Sequence, residues 1–133
     1  MAFTAGTLAA ALALGAATRP VALAQALPGM WEFVGVQGSH VPARECVADL
    51  SVLARFEHRT NSCSVTLTRD GLSATVADYS CAGGGFGHSE IEVVTPRSLR
   101  ISTQGISGGS PFNYVLQARR VGDCAKPASV IRH

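Results

Sequence analysis

The stretch that decides the fold is Cys63-Ser64-Val65-Thr66-Leu67-Thr68-Arg69-Asp70-Gly71-Leu72-Ser73-Ala74-Thr75-Val76-Ala77-Asp78-Tyr79-Ser80-Cys81. Val65 and Leu67 alternate with Ser64, Thr66 and Thr68; past Arg69-Asp70-Gly71, Leu72, Ala74 and Val76 alternate with Ser73, Thr75 and Ala77. Apolar residues at every second position turn one face of an extended chain to a core and the other to water. The stretch therefore reads as a β-hairpin with a tight reversal at Asp70-Gly71.

The same period recurs on both sides. After the Pro28-Gly29 turn, Trp31 and Phe33 alternate with Glu32 and Val34, giving a first strand over Met30 to Val36 with Trp31 in the core. Downstream, Ile91 and Val93 alternate with Glu90 and Glu92, and Leu99 and Ile101 with Arg100 and Ser102. Phe112, Tyr114, Leu116 and Ala118 share a face opposite Asn113, Val115, Gln117 and Arg119. Only Cys46 to Glu57 departs from this period, with Val47, Leu50, Leu53 and Ala54 at helical spacing. The chain is expected to be mainly β: a small antiparallel meander or barrel of about six strands with one short helix. That helix would cap the barrel or cover a sheet edge.

The N-terminus reads differently. Ala5 to Ala17 is Ala, Leu and Gly with Thr7 its single polar residue, too short to span a bilayer and of the length of a signal h-region. Ala22-Leu23-Ala24 supplies a small-x-small cleavage pattern, so residues 1–24 are expected to be a signal peptide and 25–133 a single disulfide-bonded β domain. The n-region Met1-Ala2-Phe3-Thr4 lacks a basic residue. Removing the leader takes away Arg19 alone among the charged residues, so the formal charge of +2 falls by one. Such near-neutrality argues against nucleic acid or an anionic membrane as partner.

Four cysteines, Cys46, Cys63, Cys81 and Cys124, follow the leader, and an even count in a short exported domain reads as a disulfide framework. Three pairings are open. Meander topology favours Cys63 with Cys81 and Cys46 with Cys124, although a tight turn at Asp70-Gly71 would set Cys63 opposite Ala77 or Asp78 unless a bulge or longer loop absorbs the offset.

No chemistry-bearing motif finds its required context. Gly105-Ile106-Ser107-Gly108-Gly109 fits the nucleophile-elbow pattern, but a strand follows it where that motif needs a helix, so it reads as a hairpin loop. Gly83-Gly84-Gly85-Phe86-Gly87-His88 lacks the Lys-Ser/Thr ending of a phosphate loop. The histidines, His40, His58, His88 and His133, show no metal-ligand spacing. No catalytic residue, metal or cofactor is assigned. Phe86, His88, Ser107 and Tyr114, on or beside the glycine loops, are the candidate contacts for a ligand or partner.

Taken together, Pro28-Gly29-Met30-Trp31-Glu32, Cys46 ahead of the helix, Cys63 and Cys81 flanking the hairpin, and Arg119-Arg120-Val121-Gly122-Asp123-Cys124 resemble a bacterial periplasmic family known as a domain of unknown function, DUF number 3617. The likeness covers nearly all of residues 25–133. It implies an exported, disulfide-bonded domain of a Gram-negative bacterium and carries over no catalytic residues. The expected function is a non-catalytic periplasmic binding or envelope-associated module, its partner a periplasmic protein or a small apolar ligand. The alternative is an inhibitor of a periplasmic hydrolase such as lysozyme, with Ser107-Gly108-Gly109-Ser110 and Tyr114 resembling the serine-glycine loop of such inhibitors.

Overall fold

A computed structural model of the protein describes residues 20–36 and 38–125, together with Ala2 and Gly6. Most of the expected leader, and His133, lie outside the described residues. Seven strands form one antiparallel sheet: β1 (Gly29–Val34), β2 (Ala43–Val47), β3 (Cys63–Asp70), β4 (Ala74–Cys81), β5 (Phe86–Thr95), β6 (Ser98–Ser107) and β7 (Ser110–Gly122). Their order is β2-β1-β7-β6-β5-β4-β3, so β3 to β7 form a meander, β1 joins β7 and β2 closes that end as an edge. The sheet is open, with β2 and β3 as its margins.

One face of the sheet, the inner face, carries the core. Trp31 and Phe33 of β1, Ile91 of β5, Leu99 and Ile101 of β6, and Leu116 of β7 are buried there. A 3-10 helical segment, Leu50–His58, packs onto this face against β4, β5 and β6 and contributes Leu50, Leu53, Ala54 and Phe56. It therefore fills the interior of the meander and does not shield an edge. The Phe33 and Phe56 rings meet at 4.9 Å between centroids, tilted by 51°. Trp31 is fully buried and donates its indole N–H to the Leu27 carbonyl at 3.0 Å, which satisfies its one polar atom.

The mainly β fold, an open antiparallel meander with one short helix and two disulfides, is the expected one, and three of its details differ. There are seven strands, because Ala43–Val47 pairs with β1 from Phe33↔Ala43 to Gly29↔Val47, and Cys46 lies on this strand, not on the helix. The helix starts at Leu50, behind Asp49, whose carboxylate accepts from the Ser51 backbone N–H at 3.0 Å and caps it. It is also kinked at Arg55, whose φ of −133° lies outside helical values. Phe56 and His58, which follow the kink, are buried together with Leu50, Leu53 and Ala54.

The third correction concerns the hairpin. The buried residues of β4 are Thr75, Ala77 and Tyr79, not Ala74 and Val76, and Leu72 is exposed. The turn is longer than Asp70-Gly71: Asp70 pairs with Thr75, and the Gly71 N–H donates to the Ala74 carbonyl at 2.9 Å. A bulge between Leu67 and Arg69 then shifts the register so that Cys63 faces Cys81. The longer loop and the bulge together resolve the offset, and the disulfides are Cys63–Cys81 and Cys46–Cys124, as meander topology favoured.

Pro20–Ala26 packs beside the sheet. Ala22, Leu23 and Ala26 are buried, a short 3-10 turn covers Leu23–Gln25, and the Val21 N–H donates to the Asp70 carboxylate at 2.8 Å. No helix among the described residues is long and apolar enough to cross a membrane.

Candidate functional site

The outer face of the sheet is made by the residues that alternate with the core. Register lines them up in rows across the strands. Asp78↔His88, His88↔Gln104 and Gln104↔Asn113 form one row over β4, β5, β6 and β7. Next to it, Ser80↔Phe86, Phe86↔Ile106 and Ile106↔Pro111 form a second row at the end of the sheet that holds the glycine turns. Side chains two apart on a strand share a face, so Phe86 and His88 stand side by side.

Phe86 is 51% exposed although it sits on the first residue of a paired strand. The imidazole beside it is held in place: His88 donates its Nδ1–H to an Asp78 carboxylate oxygen 2.6 Å away, which directs Nε2 away from Asp78. Two open depressions flank this pair. One, of about 390 Å³, is lined by Asp78, Phe86, His88 and Gln104; the other, of about 250 Å³, by His88, Glu90, Ser102, Gln104 and Asn113. The surface offers a carboxylate, an imidazole and two primary amides in a row, bordered by one aromatic ring. It can donate and accept hydrogen bonds in several directions.

Of the four candidate contact residues, the structure brings Phe86 and His88 together. Ser107 lies at the same end of the sheet, one residue beyond the Ile106 that pairs with Phe86, and its partner across the β6–β7 turn is Ser110. Gly108 and Gly109, with φ of 57° and 79°, form the two-residue turn between them, the left-handed conformation that glycine adopts without strain. The pattern Gly105 to Gly109 is thus a hairpin loop. Tyr114 belongs elsewhere: it is buried on the inner face and donates its hydroxyl to Glu57 Oε2 at 2.6 Å. Ser107 and Tyr114 do not form one surface. Asp78, Gln104 and Asn113, which complete the outer row, were not singled out from the sequence, because only strand register shows that they stand beside His88.

A second polar cluster lies inside. His58 Nδ1 and the Tyr79 hydroxyl share a hydrogen bond of 2.9 Å, and the buried Ser89 and Thr103 hydroxyls are 2.9 Å apart. Burial, with the nearby Glu57 charge second, pushes the Tyr79 hydroxyl up to about 12. Burial and then the hydrogen bond to Glu57 raise Tyr114 further still. Both phenols thus stay protonated, and Tyr114 donates to Glu57. Every buried side-chain N and O among the described residues has a partner, so the cluster is satisfied packing of the core. Gly85 lies over it, and a Cβ there would collide with His58 Nε2. Among the described residues no group of three or more His, Cys, Asp or Glu side chains is placed to hold a metal ion.

No family model matches this chain, and searches of curated proteins and of solved structures find no significant similarity.

Proposed function

We propose that the chain is an exported, non-catalytic binding module of the Gram-negative periplasm, a member of the DUF number 3617 family, that meets its ligand on the outer sheet face around Phe86 and His88. The observation that carries this reading is the half-exposed Phe86 ring on a rigid strand, next to the fixed His88–Asp78 pair. Among the exposed large apolar side chains of the described residues Phe86 is the aromatic one, and an aromatic ring beside fixed polar groups offers both an apolar face and hydrogen-bonding partners to a ligand. Two disulfides are compatible with an oxidising compartment.

The chemistry of the row favours a neutral, polyhydroxylated ligand, a saccharide chain of the envelope. Asp78, His88, Gln104 and Asn113 present planar donors and acceptors suited to hydroxyl groups, and the Asp78 and Glu90 carboxylates disfavour an anionic ligand. The negative face of the Phe86 ring suits the partly positive C–H face of a sugar. A small apolar ligand finds less support, because the inner face is occupied by Phe33, Leu53 and Phe56.

Titration with soluble peptidoglycan fragments and chitooligosaccharides, followed by backbone amide NMR, tests this. Shifts confined to Phe86, His88, Gln104 and Asn113 are expected, with saturating ligand stabilising the fold by about 2.7 kcal/mol at a hundred times Kd. Phe86→Ala and His88→Ala should each weaken binding about tenfold, roughly 1.4 kcal/mol, while leaving the melting temperature in place. Binding that survives both substitutions, or shifts mapping to another face, overturns the assignment of this surface.

A further inference from the structure

The two margins of an open sheet each present unpaired backbone N–H and C=O groups, and stable monomers blunt them with charge, proline, shortness or cover. β2 is blunted in this way. It has five residues, follows Pro42, and carries Arg44 and Glu45, which are engaged by Glu32 at 2.9 Å and by Arg59 at 2.6 Å. β3 is not. Its charged residues, Arg69 and Asp70, lie beyond a bulge at its far end, and from Cys63 through Thr68 it has no charged residue and no proline, so its contrast with β2 is one of charge and not of length. Ser64, Val65, Thr66 and Thr68 are exposed, Val65 at 42%. No strand lies on its outer side among the described residues. Val and Thr are strong strand formers, so this edge is ready to extend.

We propose that β3 is a self-association edge, at which a second copy of this chain adds its own β3 antiparallel and continues the sheet across a twofold axis. A second copy is the occupant because the strand is self-complementary. The regular stretch ends at the bulge between Leu67 and Arg69, which leaves Cys63–Leu67 as five uninterrupted ladder positions. The antiparallel register that pairs this stretch wholly with itself centres on Val65. It sets Val65 against Val65, Ser64 against Thr66 and Cys63 against Leu67. Apolar meets apolar on the inner side, hydroxyl meets hydroxyl on the outer side, and Arg69 of each copy stays clear of the other's. Five residues of ladder make a small contact, so the association is weak and reversible, and the outer face around Phe86 and His88 remains open in each copy.

Sedimentation velocity of the disulfide-intact protein over a concentration series up to the millimolar range should show reversible dimers. Val65→Lys, which places two like charges opposite each other on the axis, should weaken association about tenfold or more. Register is read by trapping. Val65→Cys should form an intermolecular disulfide between the two introduced thiols under mild oxidation, identified by non-reducing peptide mass mapping. Thr68→Cys, separated from its copy along the paired strands, should not. A wild-type protein that stays monomeric throughout the series, or Val65→Cys and Thr68→Cys linking at equal rates, overturns the proposal. Unchanged melting temperatures of the variants establish that the native fold is being compared.

Discussion

The two ends of the sheet solve the same problem with different materials. At the β2 end, charge and covalent chemistry work together. Glu32 receives Arg44 at 2.9 Å and Arg119 at 3.3 Å, Glu45 receives Arg59, and the Arg59 guanidinium lies 4.3 Å from the Phe56 ring centre. Cys46–Cys124 then ties β2 to the chain just beyond β7. At the β3 end there is no comparable ion network among the described residues: Cys63–Cys81 joins directly paired strands, and the glycine turn is packed over His58. Both margins pair with their neighbours in sequence, but β3 belongs to the consecutive β3 to β7 meander, whereas β1 and β2 reach the rest of the sheet through the long-range β1–β7 ladder. The margin attached in that way is the one closed by charge.

The largest break in this comparison comes from the disulfides. In the loop-entropy picture, removing Cys46–Cys124, which closes a separation of 78 residues, costs about 4.5 kcal/mol. Removing Cys63–Cys81, with a separation of 18, costs about 3 kcal/mol. Denaturant unfolding of Cys46→Ala/Cys124→Ala and Cys63→Ala/Cys81→Ala should rank them in that order. The reverse order would mean that the hairpin end, not the β2 end, sets global stability.

Gly85→Ala probes the β3 end more gently. The added methyl meets the His58 ring, which Tyr79 holds from the other side, so either the ring or the turn must move. Overpacking of this kind costs about 1 to 3 kcal/mol. Thermal denaturation should show the loss, and the same substitution should cost less in a His58→Ala background, where the clash is absent; an unchanged melting temperature for Gly85→Ala would show that the turn yields freely.

The smallest effect is expected at the β2 end. Arg59→Ala removes the ion pair with Glu45, the stacking on Phe56 and a 2.8 Å hydrogen bond to the Phe56 carbonyl. These groups are partly exposed, so the sum is about 1 kcal/mol and shrinks in high salt. Urea midpoints measured at low and high ionic strength would sharpen the contrast, since a smaller salt dependence is expected of variants at the β3 end.

What was legible in the sequence follows from how each segment is buried. β1, β5, β6 and β7 were readable because one face of each is covered and the other wet, which imposes the two-residue period. β2 was not, since Ala43-Arg44-Glu45-Cys46-Val47 lies at a margin with most of its side chains in partial contact with water. The inward position of Phe56 was hidden because the segment is 3-10, where Leu50, Leu53 and Phe56 recur every three residues, and not the α-helix whose spacing was read. In the hairpin the alternation was visible but its phase was not, since a four-residue loop replaces a tight turn and inverts which residues face the core. The same limit applies to the candidate site. Phe86 and His88 stood out as residues, whereas the row Asp78, His88, Gln104 and Asn113 exists only through the pairing of four strands, which a linear period does not encode.

Cys46–Cys124 also determines how the molecule bears load. β7 is paired on both sides, to β1 and β6, and the bond lies just past its end. Tension applied through the chain after Cys124 divides at that residue between the backbone leading to β7 and the covalent link to β2. The last strand cannot be peeled away one hydrogen bond at a time from its C-terminal end. Force is shared between β2 and β7, on either side of β1, and must shear their antiparallel ladders together. The C-terminal end of the sheet is thereby a mechanically reinforced anchor point.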